Sequence, residues 1–399
     1  MTFLDAFRRS VGAIVRDKGP VMPATVAVVV YCFLYPLPYL PQTVRDIPVA
    51  VADADTSALS RELARNLDAT RELEVAGVTR SVEEALPLLR SGSIGGIVSI
   101  PDHFERDVRR GSPTGVTIMG DGGLVVLDGT LLSSAGQTTA ATVAPLVQAR
   151  LARSGLPEGT LQASDRALPE FVKQPLFNVV DGYQSYVVTA SMGLIILQLL
   201  TIAIAVVVGT WCEKGEWPIA IRGRLTPAAF LGMVAAFSVF SVCGILFWSG
   251  FVFWYHDLPR AANVGGVVAF ALLYAAAISG FGVALGAWMA ERERALQFVA
   301  ACSVPLLMFS GFAFPVESFV APVRWISMLF PSTPGIRGFI ALNQMGARLD
   351  EVLPQIVHLA VLTAIFLAAG WLLSSWRTRQ GHKNLQDGGT RTAHDGAIG

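Results

Sequence analysis

Side chains that could do chemistry are few in this 399-residue chain, and their spacing excludes most enzyme classes. His103, His256, His358, His382 and His394 form no H-E-x-x-H pair and no Cys/His pattern of a metal site. No glycine directly precedes a lysine, so the phosphate-binding loop G-x-x-x-x-G-K-[ST] is absent, and no serine sits in a G-x-S-x-G turn. The expectation is a non-catalytic chain with no metal and no cofactor of its own, driven by a partner or a gradient. One charged segment stands apart, Trp211-Cys-Glu213-Lys214-Gly215-Glu216-Trp217, because uncharged apolar stretches flank it. A polar turn and a short amphipathic piece before Leu225-Thr-Pro227 can dock in a partner's groove and act as a stiff helical lever. The plainer reading of the same residues is a solvated connection.

The flanking stretches define the architecture. Hydrophobic residues make up 53% of the chain and charged ones 15%, against roughly 25% charged in soluble domains, and the mean hydropathy is +0.53. Stretches at 21–40, 183–210, 226–255, 263–290, 295–314 and 352–376 approach or exceed the ~20 residues a helix needs to cross hydrocarbon. His358 is their sole ionisable Asp, Glu, Lys, Arg or His. Without water at that depth the backbone must pair internally, which predicts helices. The expected fold is a polytopic α-helical membrane protein with six transmembrane helices plus a mixed α/β extracytoplasmic domain. Its parts are an interfacial helix at 1–20, a first transmembrane helix at 21–40 and the domain at 41–182. The other helices follow at 183–376, with a coupling loop at 211–225 and a cytoplasmic tail at 377–399.

Orientation follows from the cations near the span ends. With a cytoplasmic N-terminus, Arg8, Arg9, Arg16, Lys18, Lys214, Arg222, Arg224, Arg292, Arg294, Arg377, Arg379, Lys383 and Arg391 fall inside. The short outer loops then carry Arg260, Arg324, Arg337 and Arg348, and both termini are cytoplasmic. The first apolar run reads as a retained anchor rather than a cleaved signal, because it is long, closes with Pro36, Pro38 and Pro41, and lacks a small-x-small site. Cys32, Cys212, Cys243 and Cys302 all lie in or beside spans, so the translocated domain has to be stable without disulfides.

In that domain, strands are predicted at 47–52, 72–78, 96–100 and 115–119, alternating with helices at 58–67, 81–90 and 101–110. Asp53-Ala-Asp-Thr-Ser57 supplies cap residues and Ser81-Val-Glu-Glu84 a capping box. A longer helix is predicted at 125–153, its apolar stripe favouring packing on the sheet over a free stalk.

Before the first span, Phe3, Leu4, Phe7, Val11, Ile14 and Val15 recur at helical spacing, with Arg8, Arg9 and Arg16 elsewhere on the wheel. An amphipathic helix in the membrane interface follows, its basic residues near anionic headgroups. In the fifth stretch, Phe309-Ser310-Gly311 and Phe314-Pro315 predict a broken or re-entrant helix, a candidate outer gate; an ordinary kinked span is the alternative. Polar residues at span depth, Gln198, Thr201, Ser238, Ser241, Ser279, Gln297, Ser303 and Ser310, either line a substrate route or bond neighbouring helices, the commoner use. His358 reads as a hydrogen-bonded structural residue, and with no buried carboxylate proton coupling is disfavoured.

The order of these parts resembles type-2 ABC transporter permeases, specifically bacterial exporters with a large extracytoplasmic domain after the first helix. Four segments carry the resemblance: Ile47-Pro-Val-Ala-Val-Ala-Asp53-Ala-Asp55-Thr-Ser-Ala-Leu-Ser60, Ile94-Gly-Gly-Ile-Val-Ser-Ile-Pro-Asp-His-Phe104-Glu-Arg-Asp-Val, Glu213-Lys-Gly-Glu216 before Leu225-Thr-Pro227, and Pro305-Leu-Leu-Met-Phe-Ser-Gly-Phe-Ala-Phe-Pro315. The coupling segment departs from the family pattern in reading Gly-Glu-Trp-Pro. The resemblance implies a six-span half-transporter working with a second permease copy or paralogue and with cytoplasmic ABC ATPase subunits, which bind the ATP and Mg. It also implies that Glu213, Lys214, Gly215 and Glu216, with Phe7, Arg8 and Arg9 of the interfacial helix, meet that ATPase. A periplasmic adaptor protein and an outer-membrane channel often join such exporters; membrane lipids are further partners, and nucleic acid is not expected.

The expected function is the permease subunit of an ATP-driven exporter in a bacterial inner membrane, moving a small or amphiphilic substrate. The alternative is a non-transporting envelope scaffold or receptor whose outer domain binds a protein. Five closely connected spans exceed what anchoring needs.

Overall fold

The computed structural model describes residues 1–39, 44–120, 125–153, 183–258, 263–311 and 314–395, and among them the chain forms two compact units. One, 41–175, is built on a sheet; the other, 1–40 with 176–399, is a helix bundle.

In the sheet unit, β1 (Ile47–Asp53), β2 (Leu73–Thr79), β3 (Gly96–Ile100) and β4 (Thr117–Gly120) lie in the order β2-β1-β3-β4. β1 is parallel to β2 and β3, and β4 is antiparallel to β3. Successive side chains of a strand point to opposite faces, and β1 is buried on both. Val49 and Val51 meet Leu63 and Leu67 of helix Ala58–Asp68 and Leu131 of helix Val125–Arg153, whereas Ala50 and Ala52 meet Ala85 of helix Val82–Arg90. The long helix thus packs on the sheet. Ser57 caps the first helix through the Ser60 N–H at 3.1 Å, and the buried Asp53 accepts from the Thr56 N–H and the Ser60 hydroxyl. At the second helix the capping-box reading needs correction: Ser81 makes no cap bond, and only the Glu84 carboxylate reaches back, to the Arg80 N–H at 3.0 Å.

Among the described residues of the bundle, five helical stretches are long and apolar enough to cross a membrane: Lys18–Tyr39, Tyr183–Glu213, Pro227–Tyr255, Val264–Met289 and Leu353–Lys383. The stretch expected at 295–314 is shorter and divided. It forms helices Arg292–Ala301 and Ser303–Phe309, separated at Cys302, and Phe314 lies beyond both. Past it, the short helix Ser332–Phe339 is almost wholly buried against the Tyr183–Glu213 helix and the C-terminal span.

The Tyr183–Glu213 helix is the axis of the bundle, with 83% of its apolar window buried, against 28% for the first span and 22% for the C-terminal one. Its neighbours come close because small residues face it: a methyl group at Gly286 would lie 2.7 Å from the Ala205 carbonyl oxygen. Polar side chains inside the bundle either donate back to their own helix, as Ser241 does to the Phe237 carbonyl at 3.2 Å, or bridge helices. The buried Tyr274 hydroxyl donates to the Gly193 carbonyl at 2.6 Å, Gln344 donates to the Ser185 carbonyl at 2.7 Å, and Ser238 and Ser279 pair at 3.0 Å. Arg377 donates to the Ala287 and Trp288 carbonyls at 3.0 and 3.2 Å, satisfying the last turn of the Val264–Met289 helix. Replacing Gly286 with leucine is expected to destabilise the bundle by roughly 1–3 kcal/mol, measured as a lowered unfolding midpoint in detergent.

Candidate functional site

At the end of the bundle where the axial helix finishes at Glu213, an open cleft of about 830 Å³ forms between the N-terminal helix, the segment after Glu213 and the extended C-terminal helix. The N-terminal helix, Phe3–Arg16, starts at Thr2, whose hydroxyl oxygen accepts from the Asp5 N–H at 3.2 Å. It lies along the Pro227–Tyr255 helix with Ala6, Ser10 and Ile14 buried, and Gly232 allows the approach, since a methyl there would overlap the Phe3 carbonyl. This corrects one expectation: Ile14 serves the protein contact, while Phe3, Leu4 and Val15 remain exposed. Phe7 stacks on Phe3 with centroids 6.4 Å apart and does not line the cleft; Arg8 and Arg9 do.

The segment from Lys214 to Thr226 contains no helix, so the expected helical lever is absent. Instead, Ile221 and Arg224 bond to each other across a tight turn whose central residues, Arg222 and Gly223, both have positive φ. The segment is fixed by burial: Trp217 and Ile219 are 7% and 0% exposed, and the Trp217 ring sits 5.7 Å from Trp211. Gly223 packs on His382, where a methyl would lie 2.6 Å from its Cβ. Arg9 donates to the Pro218 carbonyl, joining the N-terminal helix to this segment. Lys214, Gly215 and Glu216 line the cleft, and Glu213 faces away from it, its carboxylate accepting from the Arg292 N–H at 3.4 Å.

That contact belongs to a joint that local sequence patterns do not reveal. Arg292, at the start of the divided helix, grips Asp17 with two hydrogen bonds of 2.7 and 3.0 Å, although 275 residues separate them. Asp17 in turn caps the first span through the Gly19 N–H at 2.9 Å. The Arg292 guanidinium, with help from the Gly19 N–H, holds the Asp17 carboxyl below the usual carboxylate range. Thus the first span, the axial helix and the divided helix are tied at one end.

The gate candidates lie in the other half of the bundle. Leu306, in the helix just before them, packs with Ala190 and Leu194, near the start of the axial helix. The buried Ser310 hydroxyl donates to the Leu307 carbonyl at 2.7 Å, and Gly311 has φ +80° with its α-carbon facing Val316. Phe314 is exposed and stacks on Phe319 at 6.2 Å, and Pro315 leads into the turn Val316–Ser318. Residues 312–313 of this motif lie outside the described residues. His358 bonds the Met328 carbonyl at 2.8 Å. His256, which the sequence left without a role, bridges Gln184 at 3.5 Å and the Cys32 carbonyl at 3.2 Å, joining two spans to a third. Among the described residues no group of three His, Cys, Asp or Glu could hold a metal, and the described cysteines are free.

Several apolar helices long enough to cross a bilayer, packed into one bundle, define a polytopic helical membrane protein. The profile of a family described as ABC-2 family transporter protein matches residues 24–372, and the chain belongs to that family. No curated protein matches it at a significant level. Membership makes it a permease component of an ABC transporter and implies a partner ATP-binding subunit.

The Asp17–Arg292 joint is testable by a double-mutant cycle. Asp17→Asn and Arg292→Gln should show a coupling of about 0.5–1 kcal/mol for this partly exposed pair, measured by unfolding in detergent. Because the folded-state pKa of Asp17 is depressed, this contribution is present above the unfolded value of about 3.9 and is lost as pH falls through the lower folded value.

Proposed function

We propose that the chain is the permease subunit of an ATP-binding cassette exporter in a bacterial inner membrane, with both termini in the cytoplasm. It crosses the membrane six times, counting the divided helix Arg292–Phe309, and holds the sheet unit outside. It works as a dimer with a second copy or a paralogue. It has no ATPase activity and binds no cofactor; ATP and Mg belong to the partner subunit. A small or amphiphilic substrate passes outward between the permease halves. An adaptor protein and an outer-membrane channel would receive it.

The observation that carries this reading is the convergence of Arg8, Arg9, Lys214, Gly215 and Glu216 on one cleft beside the end of the buried axial helix. A subunit pressing there pushes on Trp217 and Ile219, which are buried in the bundle core, and so moves the helices they pack against. Glu213 enters the coupling through Arg292 rather than by direct contact.

Two measurements test the proposal. Glu216→Arg, an exposed reversal, is expected to reduce co-purification of the ABC ATPase and substrate-stimulated ATP hydrolysis by on the order of tenfold, with the unfolding midpoint unchanged. Unaltered hydrolysis would remove Glu216 from the coupling, and a chain that stimulates no ATPase at all would favour the scaffold. Gly311→Leu, which forces a side chain into a positive-φ position against Val316, is expected to slow ATP-driven transport in proteoliposomes severalfold while leaving ATPase binding intact.

A further inference from the structure

The charge of the cleft is one-sided. Arg8, Arg9, Arg16, Lys214 and Arg222 line it, with Asp17 and Glu216 as the acidic residues. Asp17 is already gripped by Arg292, so its charge is largely taken up. Among the described residues the side chains of Arg16 and Arg222 make no hydrogen bond or ion pair. Trp217 also lines the cleft, at 7% exposure, with its indole Nε1 buried beneath the surface.

The height of the cleft identifies the ligand. It lies where the axial helix ends at Glu213 and the next span begins at Pro227, the level at which hydrocarbon gives way to headgroups. The N-terminal helix beside it leaves Phe3, Leu4 and Val15 exposed, an apolar edge on which acyl chains can lie. Guanidinium forks match phosphate oxygens, and the cleft volume is within the range of roughly 300–1,000 Å³ of small-ligand sites.

We propose that Arg8, Arg9, Arg16, Lys214 and Arg222 form a headgroup site for an anionic phospholipid of the adjoining leaflet. The phosphate sits among the guanidinium groups and the acyl chains leave along the N-terminal helix. Lys214 and Glu216 share the cleft, so a seated lipid also sets the position of the proposed coupling segment; only this consequence rests on the transport reading.

The test uses the full chain in a nonionic detergent with no ATPase present, so its outcome is separate from that of the transport reading. Dihexanoyl-phosphatidylglycerol, dihexanoyl-phosphatidylcholine and inorganic phosphate are each titrated below micellar concentrations, and binding is read by thermophoresis and by the unfolding midpoint. The expected result is saturable phosphatidylglycerol binding at least tenfold tighter than either of the others. Arg16→Gln combined with Arg222→Gln should weaken it at least tenfold, whereas Arg379→Gln, outside the cleft, should leave it unchanged. Equal binding of the two lipids, inorganic phosphate binding as tightly as phosphatidylglycerol, or an unaffected double variant would overturn the proposal.

Discussion

A helix surrounded by protein along nearly its whole length constrains everything else in this bundle. The Tyr183–Glu213 helix is charge-free until its last residue and 83% buried over its apolar window. Its neighbours must therefore supply both its packing and the partners for its polar groups. Close-packed interiors transmit displacement rather than absorb it, so a force applied at the Glu213 end is passed to the helices packed around it. The divided helix, the first span and the loop after Glu213 all meet at that end.

Polar chemistry is partitioned accordingly. Within the bundle it consists of neutral hydrogen bonds, some returning to the same helix, as from Thr363 to Leu359, and some between helices, as from Tyr274 to Gly193 and Gln344 to Ser185, the latter worth about 0.6 kcal/mol on average in membranes. These bonds set which helices touch and in what register. The ion pairs among the bundle's described residues, Asp17 with Arg292, Glu291 with Arg294, Glu317 with Arg337 and Asp350 with Arg348, lie outside the long apolar helices, where partial solvation lowers the cost of charge. Among the described residues of the bundle no Asp, Glu, Lys or Arg is buried.

Patterns of short range were legible in the sequence. Four long apolar stretches in the bundle and the anchor near the N-terminus read directly from hydropathy, because length and lack of charge are local properties. The strands of the sheet unit were equally visible as short β-rich runs between caps, and β1 to β3 begin within a residue of where they were predicted. Two features were not legible, and a third was passed over. The break at Cys302 does have a signal: Pro305 has no N–H for the Ala301 carbonyl four residues back, and its ring crowds that turn. The loop after Glu213 looked amphipathic because Trp217 and Ile219 are apolar, yet they are buried from a turn rather than from a helix. The Asp17–Arg292 pair joins distant parts of the chain, and each residue alone read as part of a charged flank.

Arg377 illustrates a further consequence of the way the bundle is closed. Its guanidinium bonds the Ala287 and Trp288 carbonyls and lies 4.7 Å from the centre of the neighbouring Trp376 ring. One side chain thereby pins the exit point of the C-terminal helix to the exit point of its neighbour, at the depth that indole rings prefer. With their exit points joined, the two helices meet a change in hydrocarbon thickness as a pair, and tilting together is one adjustment open to them.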